Sequence, residues 1–572
     1  MIRAFHDPYD TFFRFPSGAR PAGSVVCLRL KAFDAPKTVQ VRLWSKNGEQ
    51  KLNMNYVSEG LFEININTGD IPGVIWYYFV LTDALDGISY VGKPIGDVSG
   101  VFEQEPTSFQ LTVYDPAFDT PSWMKKSVML QILTDRFCPG AGGKIAPHGA
   151  GTYLHTNWFD LPDLKPDGED EESTDFFGGS LDGIREKLGF IKDMGFGAIY
   201  LNPIFEARSN HKYDTGDYKK VDASFGGDRA LEELINEAAK KDIHIVLDGV
   251  FSHTGADSRY FDINGVYGNG AYKNPASPYA PWYRFKTGFD DYDCWWGVKS
   301  LPNVNETEPS YMNYIIGDGD SVVARYIKKG TSGWRLDVAD ELPMEFIRAL
   351  RRRVKAENPE ACVIGEVWED ITNKTAYGET RCYAAGDTLD SAMNYPLRDA
   401  VIAFFTGKIN AYTFAEFLNF QQSSLPRPML MSMMNLLGSH DKPRIINVLA
   451  EQEGLEPPRG QRKFVPLTGE QYEKGKRRFI NAFSLICALP GMPCLYYGDD
   501  AGLTGMTDPF CRLTYPWGRE DVGLRDEIRR IIKRRNETPS LTMGECVIRA
   551  KDASTVQIMR DGTPFEFSAS EK

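Results

Sequence analysis

Three neighbouring segments decide the fold: FGAIYLNPIF (196–205), DRALEELINEAAKKD (228–242) and IHIVLDGV (243–250). The first and third are short and mostly apolar, as strands buried on both faces must be. The middle segment sets Leu231, Leu234, Ile235 and Ala238 on one face at helical spacing. Strand, amphipathic helix and strand make one βαβ unit.

The same alternation extends in both directions. VMLQIL (128–133) and the helical SLDGIREKLGFIKDMG (180–195) come before it; GWRLDV (333–338), CVIGEV (362–367), TLDSAMN (388–394), MLMSMMNLLGSH (429–440) and GMPCLYYGD (491–499) follow. Eight apolar strands alternating with helices predict an α/β fold, a (β/α)8 TIM barrel, over residues 123–540. An open doubly wound sheet would carry a Gly-rich first turn, and no GxGxxG occurs here. Upstream, SVVCLRLKAF, TVQVRLWS, LFEININ and VIWYYFVLT alternate apolar and polar residues between turn signals. They predict an N-terminal β-sandwich over residues 1–122. YDPAFDTPSW (114–123) reads as a linker, and residues 541–572 as a short C-terminal β tail.

One connection is unusually long. Residues 254–310, after the third strand, are rich in Gly, Asn, Pro, Tyr and Trp. At the active-site face of a barrel such a segment is expected to be a functional subdomain. Trp282, Tyr283, Trp295 and Trp296 are its candidates for contact with a ligand, half of them being assigned to packing.

Composition excludes several function classes. Hydrophobic residues at 42% and charged residues at 25% suit a globular enzyme. A formal charge of −13 and a pI near 5.3 argue against a nucleic-acid partner. Nine scattered cysteines with no CxxC indicate neither a disulfide framework nor a cysteine zinc site. The most apolar run, FINAFSLICALPGMPCLYYG (479–498), contains Asn481, Ser484, Pro490 and Pro493 and predicts helix, turn and strand, with no membrane partner. MIRAFHDPYDTFF shows no signal peptide, so a cytoplasmic location is expected.

Acidic and basic residues gather where the predicted strands end: Asp248 and His253 after strand three, Arg335 and Asp337 on strand four, Glu366 on strand five, His440 and Asp441 on strand seven. Barrel active sites lie at that end, so these side chains should converge. Three carboxylates at one mouth suit glycoside chemistry. Arg335, two residues from Asp337, should share its side of the strand and keep it ionised. The apolar neighbours of Glu366 should favour its protonated form. A zinc site is the competing reading, but HExxH is absent.

The segments LDGVFSH (247–253), GWRLDVADE (333–341), IGEVWED (364–370) and LLGSHDKPR (436–444) resemble the four signature regions of the α-amylase family of glycoside hydrolases. SNHKYDTGDY (209–218) and FFGGSLDGI (176–184) are similar to its neopullulanase, cyclomaltodextrinase and maltogenic amylase branch, and GMPCLYYGDDAG with DPFCR (508–512) to its eighth-strand region. The resemblance implies Asp337 as nucleophile, Glu366 as acid/base and Asp441 as third carboxylate. It implies that Tyr213, His253, Arg335, His440, Asp248, Arg512 and Trp296 bind substrate or brace the site. The implied activity is hydrolysis of α-1,4 bonds, and of α-1,6 bonds, in maltooligosaccharides, cyclodextrins or pullulan; the alternatives are a transglycosylase or isomerising synthase on the same barrel, or a non-catalytic glucan-binding protein, in which one of the three carboxylates would be expected to be lost. A homodimer through the N-terminal domain is implied too. No cofactor is expected: Ser252 stands where many α-amylases carry an Asn near calcium, and DRFCPGAGG (135–143) lacks an Asn/Asp-rich run. Asp340 replaces the usual Asn of that branch, and the C-terminal β-domain is shorter than the family's.

Overall fold

The computed structural model describes residues 2–94, 99–147, 151–164, 173–317 and 319–569. Eight parallel strands form its centre: Met129–Ile132, Ala198–Leu201, His244–Gly249, Gly333–Leu336, Cys362–Gly365, Ser391–Ala392, Met434–Leu436 and Met492–Tyr496. Numbered one to eight in chain order, they pair as 6-5-4-3-2-1-8-7. A single parallel bridge, Met393 to Met434, joins strands six and seven and closes the ring. Helices such as Gly227–Ala239 and Met344–Glu357 turn their buried Leu, Ile and Phe side chains onto it. The α/β barrel is therefore as expected.

The strands are shorter than their apolar runs. Residues 429–433 of the seventh run are not strand, and Arg427–Leu430 forms a helical turn. The second run stops at Leu201, and Phe205–Ala207 pairs instead with Thr215–Val221 in a separate ribbon. Apolar residues in those stretches are buried by neighbouring helices, so hydrophobicity alone overstates the ladder.

The register carries the site. Asp248 lies opposite Arg335, and Leu336 opposite Gly365. Inward positions alternate, and the barrel interior holds Met129, Tyr200, Val246, Cys362, Ile364, Leu436 and Cys494. On strands three, four and five the same inward rows end in Asp248, Arg335 and then, one step beyond the strands, Asp337 and Glu366. The Asp337 N–H donates to the Gly249 carbonyl, and the Glu366 N–H to that of Leu336, so pairing continues through both residues. Gly333 opens strand four with φ +147°, and a Cβ there would lie 2.3 Å from the Cys362 carbonyl oxygen. Only glycine permits this approach.

The N-terminal strands form two sheets, antiparallel except where Arg20–Pro21 pairs with Phe109–Tyr114, and Val26, Leu28, Leu30, Val41, Tyr77, Phe79 and Leu111 build a core separate from that of the barrel. The segment read as a linker is tied down. Trp123 stacks on His244 at 4.3 Å and donates its ring N–H to the Glu360 carbonyl. Contacts between sandwich and barrel include hydrogen bonds, Arg14 donating to Ser423 and Gln110 to Thr372, and Lys93 lies over the Phe420 ring. Cys546–Ala550, Thr555–Arg560 and Thr563–Ser568 make a three-stranded antiparallel sheet at the C-terminal side. No helix among the described residues is long and apolar enough to cross a membrane.

Candidate active site

A cleft of about 980 Å³ opens at the C-terminal ends of the barrel strands. Tyr213, His253, Asp337, Glu366, His440, Asp441, Arg512 and Trp296 all line it. Arg335 and Asp248 do not; they lie buried beneath its floor.

That floor is a charge network. Arg335 donates through Nη1 to Asp248 Oδ1 at 2.8 Å and to Asp337 Oδ1 at 2.9 Å, while its Nη2 is 2.7 Å from Glu366 Oε2. One guanidinium therefore holds both Asp337 and Glu366, as their shared level on adjacent strands permits. Asp248 also accepts from the hydroxyls of Tyr200 (2.5 Å) and Tyr213 (2.9 Å), so this buried carboxylate is fully partnered. Its geometry makes it a brace for Arg335 and Tyr213.

Val338, directly after Asp337, has φ 36°, an outlier for a β-branched residue. The unusual turn aims its N–H at Glu366 Oε2, 2.8 Å away. Local strain of about 1–3 kcal/mol at such a residue persists only where its surroundings hold it. Trp368 caps the other oxygen: its ring N–H donates to Glu366 Oε1 at 3.1 Å, and its ring stacks on Tyr395 at 4.0 Å. Sequence reasoning gives Trp368 no role beyond apolar surroundings. Its place two residues after Glu366 is the available signal.

On the far side, Tyr213 and His440 stack with rings 5.3 Å apart and nearly parallel. Gln131 donates to His440 Nδ1, so Nε2 carries the hydrogen and faces the Tyr213 hydroxyl oxygen (2.7 Å) and Asp441 (3.2 Å). Burial holds His440 well below the ordinary imidazole range, with Arg512 and Arg335 adding to the effect. Burial likewise lowers His253 to about 4; its ring donates to the Tyr213 carbonyl. Both histidines are neutral donors near pH 7. Arg512 donates to the His440 carbonyl and pairs with Asp508. His211, which follows no predicted strand but lies within SNHKYDTGDY (209–218), also lines the cleft beside Tyr213.

Electrostatics correct one expectation. Burial, together with the charges of Glu366, Asp248 and Asp441, pushes the Asp337 carboxyl well up, against the pull of Arg335. The guanidinium alone does not set its ionisation, because it is shared among three carboxylates in a site shielded from water. Asp441 is pushed up to about 7, by burial first and then by Glu366, with Arg512 and Arg335 opposing.

The four aromatic candidates of residues 254–310 divide. Trp282 and Tyr283 are buried with Tyr260 and Phe261 in the core of the insertion, whereas Trp295 and Trp296 line the cleft. Trp296 is 80% exposed and donates its ring N–H to Glu341 at 2.8 Å.

Among the described residues no group of three or more His, Cys, Asp or Glu side chains is placed to hold a metal ion. The Ser252 hydroxyl is engaged with His253 Nδ1 at 3.0 Å. The adjoining recess is lined by Arg284 together with Asp293, Asn303, Glu306 and Glu341, and burial pushes Glu306 up to about 8.

Comparison with known proteins agrees with this geometry. The family model for the α-amylase catalytic domain matches residues 131–555. An amylopullulanase of Thermoanaerobacter thermohydrosulfuricus is 35% identical across 94% of this chain, which spans about two fifths (39%) of that protein. A Bacillus cyclomaltodextrinase is 31% identical over 80% of this chain and 70% of its own length. The solved cyclic α-maltosyl-(1→6)-maltose hydrolase of Arthrobacter globiformis, in complex with that sugar, is 28% identical with a TM-score of 0.64, covering 78% of this chain and 90% of its own. With the barrel closed, three carboxylates at its mouth and the family model spanning most of the sequence, the chain belongs to the α-amylase family of glycoside hydrolases.

Proposed function

We propose that this chain hydrolyses α-1,4-glucosidic bonds, and α-1,6 bonds, in short α-glucans such as maltooligosaccharides, cyclodextrins or pullulan, by double displacement with retention. The observation that carries the reading is the bridging of Asp337 and Glu366, in register on adjacent strands, by one guanidinium. Retaining glycosidases need two carboxyl groups roughly 5–5.5 Å apart, and neighbouring strands supply such a spacing.

Asp337 is the nucleophile. Its carboxylate attacks C1 of the bound glucose while Glu366 gives its proton to the departing sugar oxygen. Glu366 then takes a proton from water, whose oxygen attacks C1 and releases Asp337. The departing glycosidic oxygen takes its proton from Glu366, and the attack uses Asp337 as a carboxylate paired with Arg335. Asp441, His440, His253 and Arg512 hold hydroxyls of the attacked ring, and Tyr213 stacks beneath it. The names of the relatives, amylopullulanase and cyclomaltodextrinase, support the substrate class. A homodimer through the N-terminal sandwich belongs to the same reading, and light scattering tests it.

Proton NMR during turnover of maltotriose tests the chemistry. The first product released should be the α-anomer. Initial release of the β-anomer overturns the double displacement.

A further inference from the structure

Strand five is followed by a small hairpin, Lys374–Ala376 paired with Glu379–Arg381, which forms one wall of the cleft. Its register puts Ala376 opposite Glu379, so the turn is the dipeptide Tyr377-Gly378. Both turn residues have positive φ, 52° and 78°. A two-residue turn of this kind matches the twist of a hairpin but favours Asn, Asp or Gly at its first position. A tyrosine there is strained; the residue is 71% exposed and lines the cleft, with the Arg381 guanidinium 5.8 Å from the ring centre. Neither turn chemistry nor core packing accounts for it.

The hairpin is held rigidly at its base. Lys374 pairs with Asp340 and Glu369, and Arg381 donates to the carbonyls of Asp340 (2.6 Å) and Leu342 (2.9 Å). Gln110 of the N-terminal sandwich donates to Thr372 and accepts from Asn373, both at 2.7 Å, just before the first hairpin strand. Trp296, the other highly exposed aromatic of the cleft, also has left-handed backbone, with φ 48°. Its partner Glu341 lines the same side recess as Tyr377. Glu341 thus connects Trp296, by a hydrogen bond, to the recess that Tyr377 lines. The hairpin follows strand five, which ends just before Glu366, and Glu341 follows strand four, whereas His440 follows strand seven.

We propose that Tyr377 is a platform for the sugar on the leaving-group side, acting with Trp296; this rests on the reading of Glu366 as the acid/base. The CH face of a glucose ring packs on an aromatic face, and a ring fixed by a rigid hairpin loses little freedom on binding. A second sugar held there after the first departs competes with water for the glycosyl group on Asp337. Its hydroxyl proton passes to Glu366, its oxygen forms the new bond to C1, and the bond from C1 to Asp337 breaks to return the carboxylate. Tyr377 therefore sets how often transfer replaces hydrolysis.

The test compares maltotriose, which has a sugar on that side, with α-maltosyl fluoride, which has none. Tyr377→Ala and Tyr377→Gly should lower maltotriose cleavage, and transfer to added maltose, about tenfold more than they lower fluoride release; tenfold corresponds to about 1.4 kcal/mol. Tyr377→Phe should keep most of the transfer. Tyr377→Gly should melt no lower than the parent, because it relieves the turn, so loss of fold cannot explain loss of transfer. Equal losses on both substrates, or an unchanged ratio of transfer to hydrolysis, would overturn the proposal. Glu366→Gln on the same two substrates tests the underlying reading separately. If it fails on both alike, the acid/base assignment falls, while the contrast seen with the Tyr377 variants still decides whether a sugar binds there.

Discussion

The floor of the cleft and its walls are built by different physics. On the floor, Asp248, Arg335, Asp337 and Glu366 take their places from the register of three adjacent parallel strands, each held by backbone bonds on both sides. On the walls, Trp295, Trp296 and Tyr377 sit on insertions with little regular structure, held by side chains such as Glu341, Asp340 and Gln110. A ladder cannot shift one residue without moving every inward side chain outward. A loop held by side chains can be rebuilt without disturbing the barrel. Chemistry and substrate preference are thus carried by separable parts, and substitutions should divide accordingly.

The largest effects belong to the floor. Glu366→Gln should slow maltotriose cleavage by about 10²–10⁴-fold or more while largely sparing the first step with α-maltosyl fluoride, and azide should speed breakdown of the trapped intermediate. Asp337→Asn should respond to neither fluoride nor azide, since no nucleophile remains. Steady-state and burst kinetics distinguish the two, and identical responses would reverse or remove the assigned roles.

Asp441→Asn separates activity from stability. In the fold its carboxyl lies at about 7, against an ordinary 3.8, so the native state binds the proton more tightly than the unfolded chain. The native state therefore loses stability as pH rises from about 4 to about 7, because ionising this group is harder in the fold. The Asn variant should melt higher than the parent at pH 8, by ~2–4 °C, with the gap closing below pH 4. Activity should fall, and the acid limb of kcat/KM should move to lower pH, because a negative neighbour of Asp337 is gone. Scanning calorimetry and pH–rate profiles check both signs; a lower melting point at pH 8 would refute the buried charge.

A smaller change is expected where the sandwich meets the wall. Gln110→Ala removes both bonds to Thr372 and Asn373 and should weaken maltotriose cleavage by roughly two- to fivefold, mostly in KM, with fluoride release affected less. A fall in kcat as large as that of a floor substitution would break the distinction between floor and wall. The smallest effect is that of chelation. Excess EDTA should leave rate and melting temperature unchanged, because among the described residues no group of three or more His, Cys, Asp or Glu side chains is placed to hold a metal ion. A marked fall in either would reveal a bound cation that supports the fold.

Much of this is legible in the chain itself. The apolar segments at 128–133, 196–205, 243–250 and 333–338 announce buried parallel strands, because only strands covered on both faces can be so uniformly hydrophobic. Polar residues at the ends of such runs announce a mouth, so Asp337, Glu366, Asp441, His253 and His440 can be named from the sequence. Tertiary structure alone decides the rest. That Arg335 serves Asp248, Asp337 and Glu366 together depends on register between strands, which no single segment records. The elevated Asp337 and Asp441 carboxyls depend on how much water the assembled cleft excludes. Trp282 and Trp296 share one composition-rich insertion, yet one is 2% exposed and the other 80%. Tyr377 reads in the sequence as part of an ordinary loop, because a side chain's ring becomes a wall only when a turn and a cleft from distant parts of the chain come together.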